Sequence, residues 1–107
     1  MISMEHYQLV TTTDSEQAAG DLAEAIVEAR LGACVHVMPI TSVYRWDGKV
    51  TKDAEWRLVV KTTSDRLDEL MAFVKQRHSY DVPQLVATKL AQGSADYLDW
   101  ITTQTRP

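Results

Sequence analysis

The stretch ACVHVMPITSVYRWDGKVTKDAEWRLVVKTT, residues 33–63, decides the fold. Two segments rich in β-branched and aromatic residues flank Asp47-Gly48, a dipeptide typical of a two-residue type I′ hairpin turn. The stretch therefore predicts one long β-hairpin from Ala33 to Thr63. At a rise of about 3.3 Å per residue, its first arm would extend roughly 45 Å, longer than a domain of this size is wide. We expect the hairpin tip to project or to curl.

The segments on either side of the hairpin alternate between strand and helix patterns. They predict a strand at residues 6–13, a helix from N-cap Asp14 to Gly32, a helix from Ser64 or Asp65 to His78, a strand at residues 83–90 and a helix at residues 94–103. This order is the α+β, ferredoxin-like split β-α-β arrangement, βαββαβ plus a C-terminal helix, in one domain of residues 1–107. Right-handed crossovers place both main helices on one sheet face and leave the other face without a cover from this chain.

Composition excludes several classes of protein. The formal charge of −4, with the basic residues scattered, argues against nucleic-acid binding. No apolar run approaches the roughly 18 residues of a membrane span, so we expect no membrane association. Cys34 is the only cysteine and the N-terminus lacks a secretory pattern, which makes a cytoplasmic protein the default expectation.

Aromatic residues near the hairpin tip point to an oligomer. Tyr44, Trp46 and Trp56 would form a contiguous patch that is costly to leave in water. Burial against another subunit is the simplest remedy.

One face of the first hairpin strand carries possible metal ligands. Cys34, His36 and Met38 recur at every second position, so a thiol, an imidazole and a thioether can approach a common ion. This set suits Cu(I), or Cu(II) and Zn without the Met38 sulfur. The alternative is that Cys34 and Met38 are ordinary core residues.

The segment from His78 to Pro83 and the returning strand supply further polar groups. His78, Tyr80 and Asp81 lie between the second helix and the fourth strand, where binding groups often gather. Structural roles at the helix end are the alternative, and Ser79 is given no catalytic role. Glu55, Arg57 and Lys61 form a charged row that either faces solvent or lines a cleft between subunits. His6 is expected to be solvated.

Several stretches together resemble the CutA divalent-cation tolerance proteins. The matching stretches are ARLGACV at 29–35, TSVYRWDGK at 41–49, VKT at 60–62, HSYDVP at 78–83 and YLDW at 97–100. The resemblance implies a tight homotrimer assembled through the long hairpins, similar in architecture to PII-like signalling proteins. It also implies tolerance of copper and other divalent metal ions, with metal binding.

The residues that match this family's motif are Cys34, Trp46, Glu55, Lys61, His78 and Tyr80. The chain departs from the family where it has His36, Ser79, Asp81 and Gln84. His36 would strengthen a copper site, whereas Gln84 removes a carboxylate from the loop.

Two functional hypotheses follow. The first is a trimeric protein that is not an enzyme and binds Cu, Zn or other divalent ions through Cys34, His36 and His78, with no obligatory cofactor. The second is a PII-like trimeric sensor of a small molecule or partner, with a cleft between subunits lined by Trp46, Glu55, Lys61 and Tyr80 beside His78. A metallochaperone would normally present a Cys-x-x-Cys pair, which this chain lacks.

Overall fold

The structure is a computed structural model and describes residues 4–107. Its strands are β1 (His6–Thr13), β2 (Cys34–Trp46), β3 (Lys49–Thr63) and β4 (Val86–Lys89). Its helices are α1 (Glu16–Glu28), α2 (Leu67–Arg77) and α3 (Ala95–Gln104), and a 3-10 turn at Ser64–Arg66 leads into α2. The strands form one antiparallel sheet in the order β2-β3-β1-β4. The predicted α+β ferredoxin-like arrangement with a C-terminal helix is confirmed.

The β2-β3 hairpin follows its predicted turn. Asp47 and Gly48 have φ angles of 50° and 75°, as the type I′ turn requires. Pairing then continues without a bulge from Trp46 opposite Lys49 to Cys34 opposite Lys61. The hairpin projects from the rest of the domain. The molecule therefore measures 50 Å in its longest dimension, and its radius of gyration is 14.6 Å, against about 13 Å for a compact domain of this length.

The core lies between the sheet and the first two helices. Leu9, Leu58 and Val60 of the sheet pack with Ile26 of α1 and Leu70 of α2, all fully buried. We call this side of the sheet the helix face. The opposite side, which carries Cys34 and its neighbour Lys61 on β3, is the open face.

Helix α3 covers one end of the open face. The prediction that nothing in this chain covers that face is therefore wrong at this end. Ile101 of α3 is fully buried, and Thr102 Oγ1 lies 2.8 Å from the Nε2 atom of His6. His6 is only 9% exposed, so the expectation that it is solvated is wrong. Helix α3 packs on β1 and β3, the two central strands of the sheet.

The ends of α1 differ from prediction in detail. Ser15, not Asp14, is the N-cap, and its hydroxyl accepts a hydrogen bond from the Ala18 N–H at 3.0 Å. Arg30, not Gly32, adopts the left-handed conformation after the helix, with φ of 59°. Gly32 is required for space, since a Cβ there would lie 2.5 Å from Val60 Cγ1.

The predicted aromatic patch at the hairpin tip is also corrected. Trp56 points to the helix face, where it packs against the core. Tyr44 and Trp46 point to the open face and are 39% and 63% exposed. Because side chains alternate along a strand, the hairpin separates Trp56 from the other two aromatic rings.

Candidate functional site

The predicted soft-ligand row lies on the open face of β2. Cys34, His36 and Met38 are paired with Lys61, Val59 and Arg57, and the unbroken register places all three on this face. The thiol of Cys34 is free and half-buried, while His36 is exposed. Cys34 is therefore not enclosed in the core between sheet and helices, which was the alternative interpretation of that residue.

Tyr97 of α3 lies over Cys34. Its hydroxyl is 3.5 Å from Cys34 Sγ. This hydrogen bond, with some burial, raises the pKa of Tyr97 to about 12. The phenol is thus a neutral neighbour of the sulfur at physiological pH.

His78 has a structural environment of its own. Its Nε2 atom lies 2.7 Å from the backbone oxygen of Thr12, and its Nδ1 accepts a hydrogen bond from the Tyr80 N–H at 3.1 Å. Since a backbone oxygen only accepts, Nε2 carries the proton and neither ring nitrogen offers a free lone pair. A metal ion would have to displace Tyr80 from Nδ1.

The distance between His78 and Cys34 is large within one chain. Thr12, which His78 contacts, pairs with Arg57, whereas Cys34 pairs with Lys61. Four residues of strand, roughly 13 Å, separate these positions along β3. Across residues 4–107, no three His, Cys, Asp and Glu side chains are grouped so that they would hold a metal ion. The three predicted metal ligands thus form no complete site in a single chain.

A cleft of about 330 Å³ lies where the hairpin meets the loop after α2. Its walls include Thr12, Tyr44, Trp46, Glu55, Tyr80 and Asp81. Three residues predicted for a ligand cleft, Trp46, Glu55 and Tyr80, are therefore together in this chain. Lys61 is not among them, because it lies six residues from Glu55 on β3, roughly 20 Å away.

Phenols that line the cleft donate hydrogen bonds to two carboxylates, that of Glu55 in its wall and that of Asp53. The Tyr80 hydroxyl donates to Glu55 Oε2 at 2.8 Å, and burial together with this bond raises the pKa of Tyr80. Tyr44 donates in the same way to Asp53, and that bond raises the pKa of Tyr44. Both tyrosines stay protonated at neutral pH, so they act as neutral donors to these carboxylates.

Sequence reasoning missed part of this site. The Tyr44 and Asp53 pair follows from the register that the Asp47-Gly48 turn fixes, so it was within reach of the sequence. Asp81 was noted in the loop but not assigned to the cleft. Tyr97 was placed on a helix face, but its contact with Cys34 depends on how α3 docks, which no local pattern specifies.

The described helices include none that is both long and apolar enough to cross a membrane. This finding covers residues 4–107.

Comparisons with known proteins agree with one another. The family model described as "CutA1 divalent ion tolerance protein" matches residues 7–104. The "Divalent-cation tolerance protein CutA" of Thermus thermophilus is 46% identical over 103 residues, which are 95% of this chain and 99% of that protein.

A rice protein extends the comparison to a solved structure. "Protein CutA 1, chloroplastic" of Oryza sativa is 43% identical over 89% of this chain, and the chain spans about half of that protein's length, 54%. The crystal structure of CutA1 from Oryza sativa superposes with a TM-score of 0.94 at 39% identity, covering 97% of this chain and 96% of that chain.

Proposed function

This chain belongs to the CutA1 divalent ion tolerance family, and from that premise we propose that it is a homotrimer, not an enzyme, that binds copper or another divalent metal ion. Cys34 and His36 are the proposed first ligands. The observation that supports this is their position two residues apart on the open face of β2, with a half-buried free thiol and an exposed imidazole. A thiolate with an imidazole suits Cu or Zn better than Mg or Ca.

A second copy of the chain would complete the proposed site. Cys34 and His36 supply two ligands, with Met38 as a third for Cu(I), whereas Zn takes four. Strand β2 is at the edge of the sheet, so its outer hydrogen-bonding groups are available to another chain. We propose that the site lies where copies meet along β2. His78 stays a candidate ligand only if its Nδ1 is released from Tyr80.

Isothermal titration with Zn and, under anaerobic conditions, with Cu(I) tests this proposal. We expect Cys34→Ser and His36→Ala each to weaken binding by tenfold or more, since loss of one ligand removes a coordinate bond (about 1.4 kcal/mol per tenfold). Ser42→Ala, on the same face of β2, is the matched control and should bind as the parent does. Unchanged affinity in both ligand variants would remove these residues from the site.

The second candidate function is recognition of a small molecule in the cleft beside the hairpin. The convergence of Trp46, Glu55 and Tyr80 around about 330 Å³ favours it, because small ligand pockets combine aromatic walls with a few polar groups. Lys61 would reach such a cleft only from a neighbouring copy. Both functions fit a cytoplasmic protein, which stays a prediction.

A further inference from the structure

The cleft has a chemical character that metal coordination does not explain. Glu55 and Asp81, two acidic residues, line the same space as Trp46, which is 63% exposed. The Tyr44 ring lines this space too, and its hydroxyl holds the Asp53 carboxylate beside it. The cleft therefore combines negative charge with aromatic faces.

No positive side chain neutralises this charge among the residues described. The walls hold no lysine or arginine, and the ion pairs formed within residues 4–107 involve neither Glu55 nor Asp81. Arg57 follows Glu55 by two positions on the same face of β3, yet it forms no ion pair with it. Glu55 is instead bonded to a neutral phenol, Tyr80, which leaves its charge in place.

A bare metal ion does not fit this arrangement. The carboxylates are not grouped closely enough to form a three-ligand set, a result that holds for residues 4–107. Aromatic rings, moreover, are not ligands for divalent ions, whereas Trp and Tyr faces attract organic cations through their electron-rich surface. The volume of about 330 Å³ is at the lower end of the range for small-molecule pockets.

From these observations we infer that the cleft binds a small organic ammonium ion, with Trp46 against the cation and Glu55 as its counter-charge. The inference rests on the second candidate function above and names its ligand class. Val82, which is 78% exposed at the rim, would contact the carbon groups of such a ligand. Binding at this cleft does not require Cys34 or a metal ion.

Titration with choline, followed by the indole N–H signals in ¹H–¹⁵N NMR spectra, tests the inference. The neutral isostere 3,3-dimethyl-1-butanol is the matched ligand control, because it has the same shape without the charge. We expect millimolar choline to shift the Trp46 indole signal, identified from its absence in Trp46→Leu, and the alcohol to leave it in place. EDTA is present throughout, so metal binding does not contribute.

Two variants and one control locate the site. Glu55→Gln should weaken choline binding about tenfold (about 1.4 kcal/mol), because it removes the counter-charge. Trp46→Leu should weaken it about two- to fivefold, measured on the remaining signals. Glu24→Gln removes one charge from the exposed surface of α1 and should bind as the parent does.

Each outcome separates this inference from the proposed functions. Equal binding of choline and the alcohol would overturn the inference but leave the cleft as a small-molecule site. No shift with either probe would also overturn the inference, and the second candidate function would then require a ligand other than an organic ammonium ion or its neutral isostere. Unchanged affinity in Glu55→Gln would also overturn the inference. Choline binding retained in Cys34→Ser would support it whatever the metal titrations show.

Discussion

The Tyr80 hydroxyl donates a hydrogen bond of 2.8 Å to Glu55, and this bond joins the loop after α2 to the long hairpin. The two residues are 25 positions apart in the sequence and both line the cleft, so the bond links its two walls. It holds Glu55 in place while the charge of that residue remains available.

Tyr80→Phe should therefore destabilise the protein. A half-buried hydrogen bond to a carboxylate contributes about 1.5 kcal/mol or more, and its loss leaves Glu55 without that donor. We expect a decrease of about 1–2 kcal/mol in the free energy of unfolding, measured by urea denaturation. Tyr7→Phe is the control, because Tyr7 donates to Glu5 only at the exposed surface, at 3.3 Å. Equal losses in the two variants would contradict this role for Tyr80.

Thr11→Val should stabilise the protein. The Thr11 hydroxyl is fully buried on the helix face and has no hydrogen-bond partner within the described residues. Valine has nearly the same shape and removes the unsatisfied oxygen, so we expect a gain of about 1 kcal/mol in unfolding free energy. Thr62→Val is the matched contrast: Thr62 donates to the Leu31 backbone oxygen at 2.8 Å, and we expect a loss of about 1 kcal/mol. A loss in Thr11→Val would show that its hydroxyl has a partner in solution.

Substitution by alanine should change the stability of the protein in opposite directions at two glycines. At Gly32 the added Cβ would lie 2.5 Å from Val60 Cγ1 and 2.9 Å from Ile26 Cγ2, both in the core. We expect Gly32→Ala to cost about 2 kcal/mol, as other overpacked core substitutions do. Gly20 is inside α1, and a Cβ added there would meet nothing within 4 Å, so Gly20→Ala should add about 0.5–1 kcal/mol. Thermal and urea unfolding of the pair would check both signs.

How well the sequence predicts a structural feature of this protein depends on how far apart in the chain the interacting residues are. The hairpin turn at Asp47-Gly48 fixes the register, and with it the shared face of Cys34 and His36, because both follow from local patterns. The contact between Tyr80 and Glu55 joins a loop without periodicity to a distant strand, so only the folded chain reveals it. Helix ends fall between these cases: Asp14 and Ser15 are both good N-caps, and the sequence does not separate them.

Acid should weaken the attachment of the C-terminus. Arg106 contacts the Asp65 carboxylate at 2.6 and 2.8 Å and lowers the pKa of Asp65 from 3.8 to about 2. The folded state therefore binds this proton less readily than the unfolded state. The stabilisation is fully present above the unfolded value, near pH 4, and is lost as the pH falls toward 2. Because the Asp65 and Arg106 side chains are 45% and 36% exposed, we expect about 1 kcal/mol at most.

Urea denaturation of the parent and Asp65→Asn at about pH 6 and about pH 2.5 measures this contribution. The difference in unfolding free energy between the parent and Asp65→Asn should be smaller at the lower pH. Asp68→Asn is the control, since Asp68 lies in the first turn of α2 and forms none of the ion pairs found in residues 4–107. A constant difference for Asp65→Asn would show that the ion pair does not contribute.

A charge on the valine side of the hairpin should dissociate the proposed trimer. Val43 and Val50 are 64% and 70% exposed on the helix-face side of the hairpin, beyond the reach of the core. The opposite side carries the cleft residues Tyr44 and Trp46, so a second copy can cover the valines and leave the cleft accessible. We expect Val43→Glu and Val50→Glu to have the mass of one chain by light scattering, and the parent that of three. Ala72→Glu, on the exposed side of α2, should keep the parent mass. If both hairpin variants keep the mass of three chains, the valines are not the contact surface. If the parent itself has the mass of one chain, the trimer proposal is wrong.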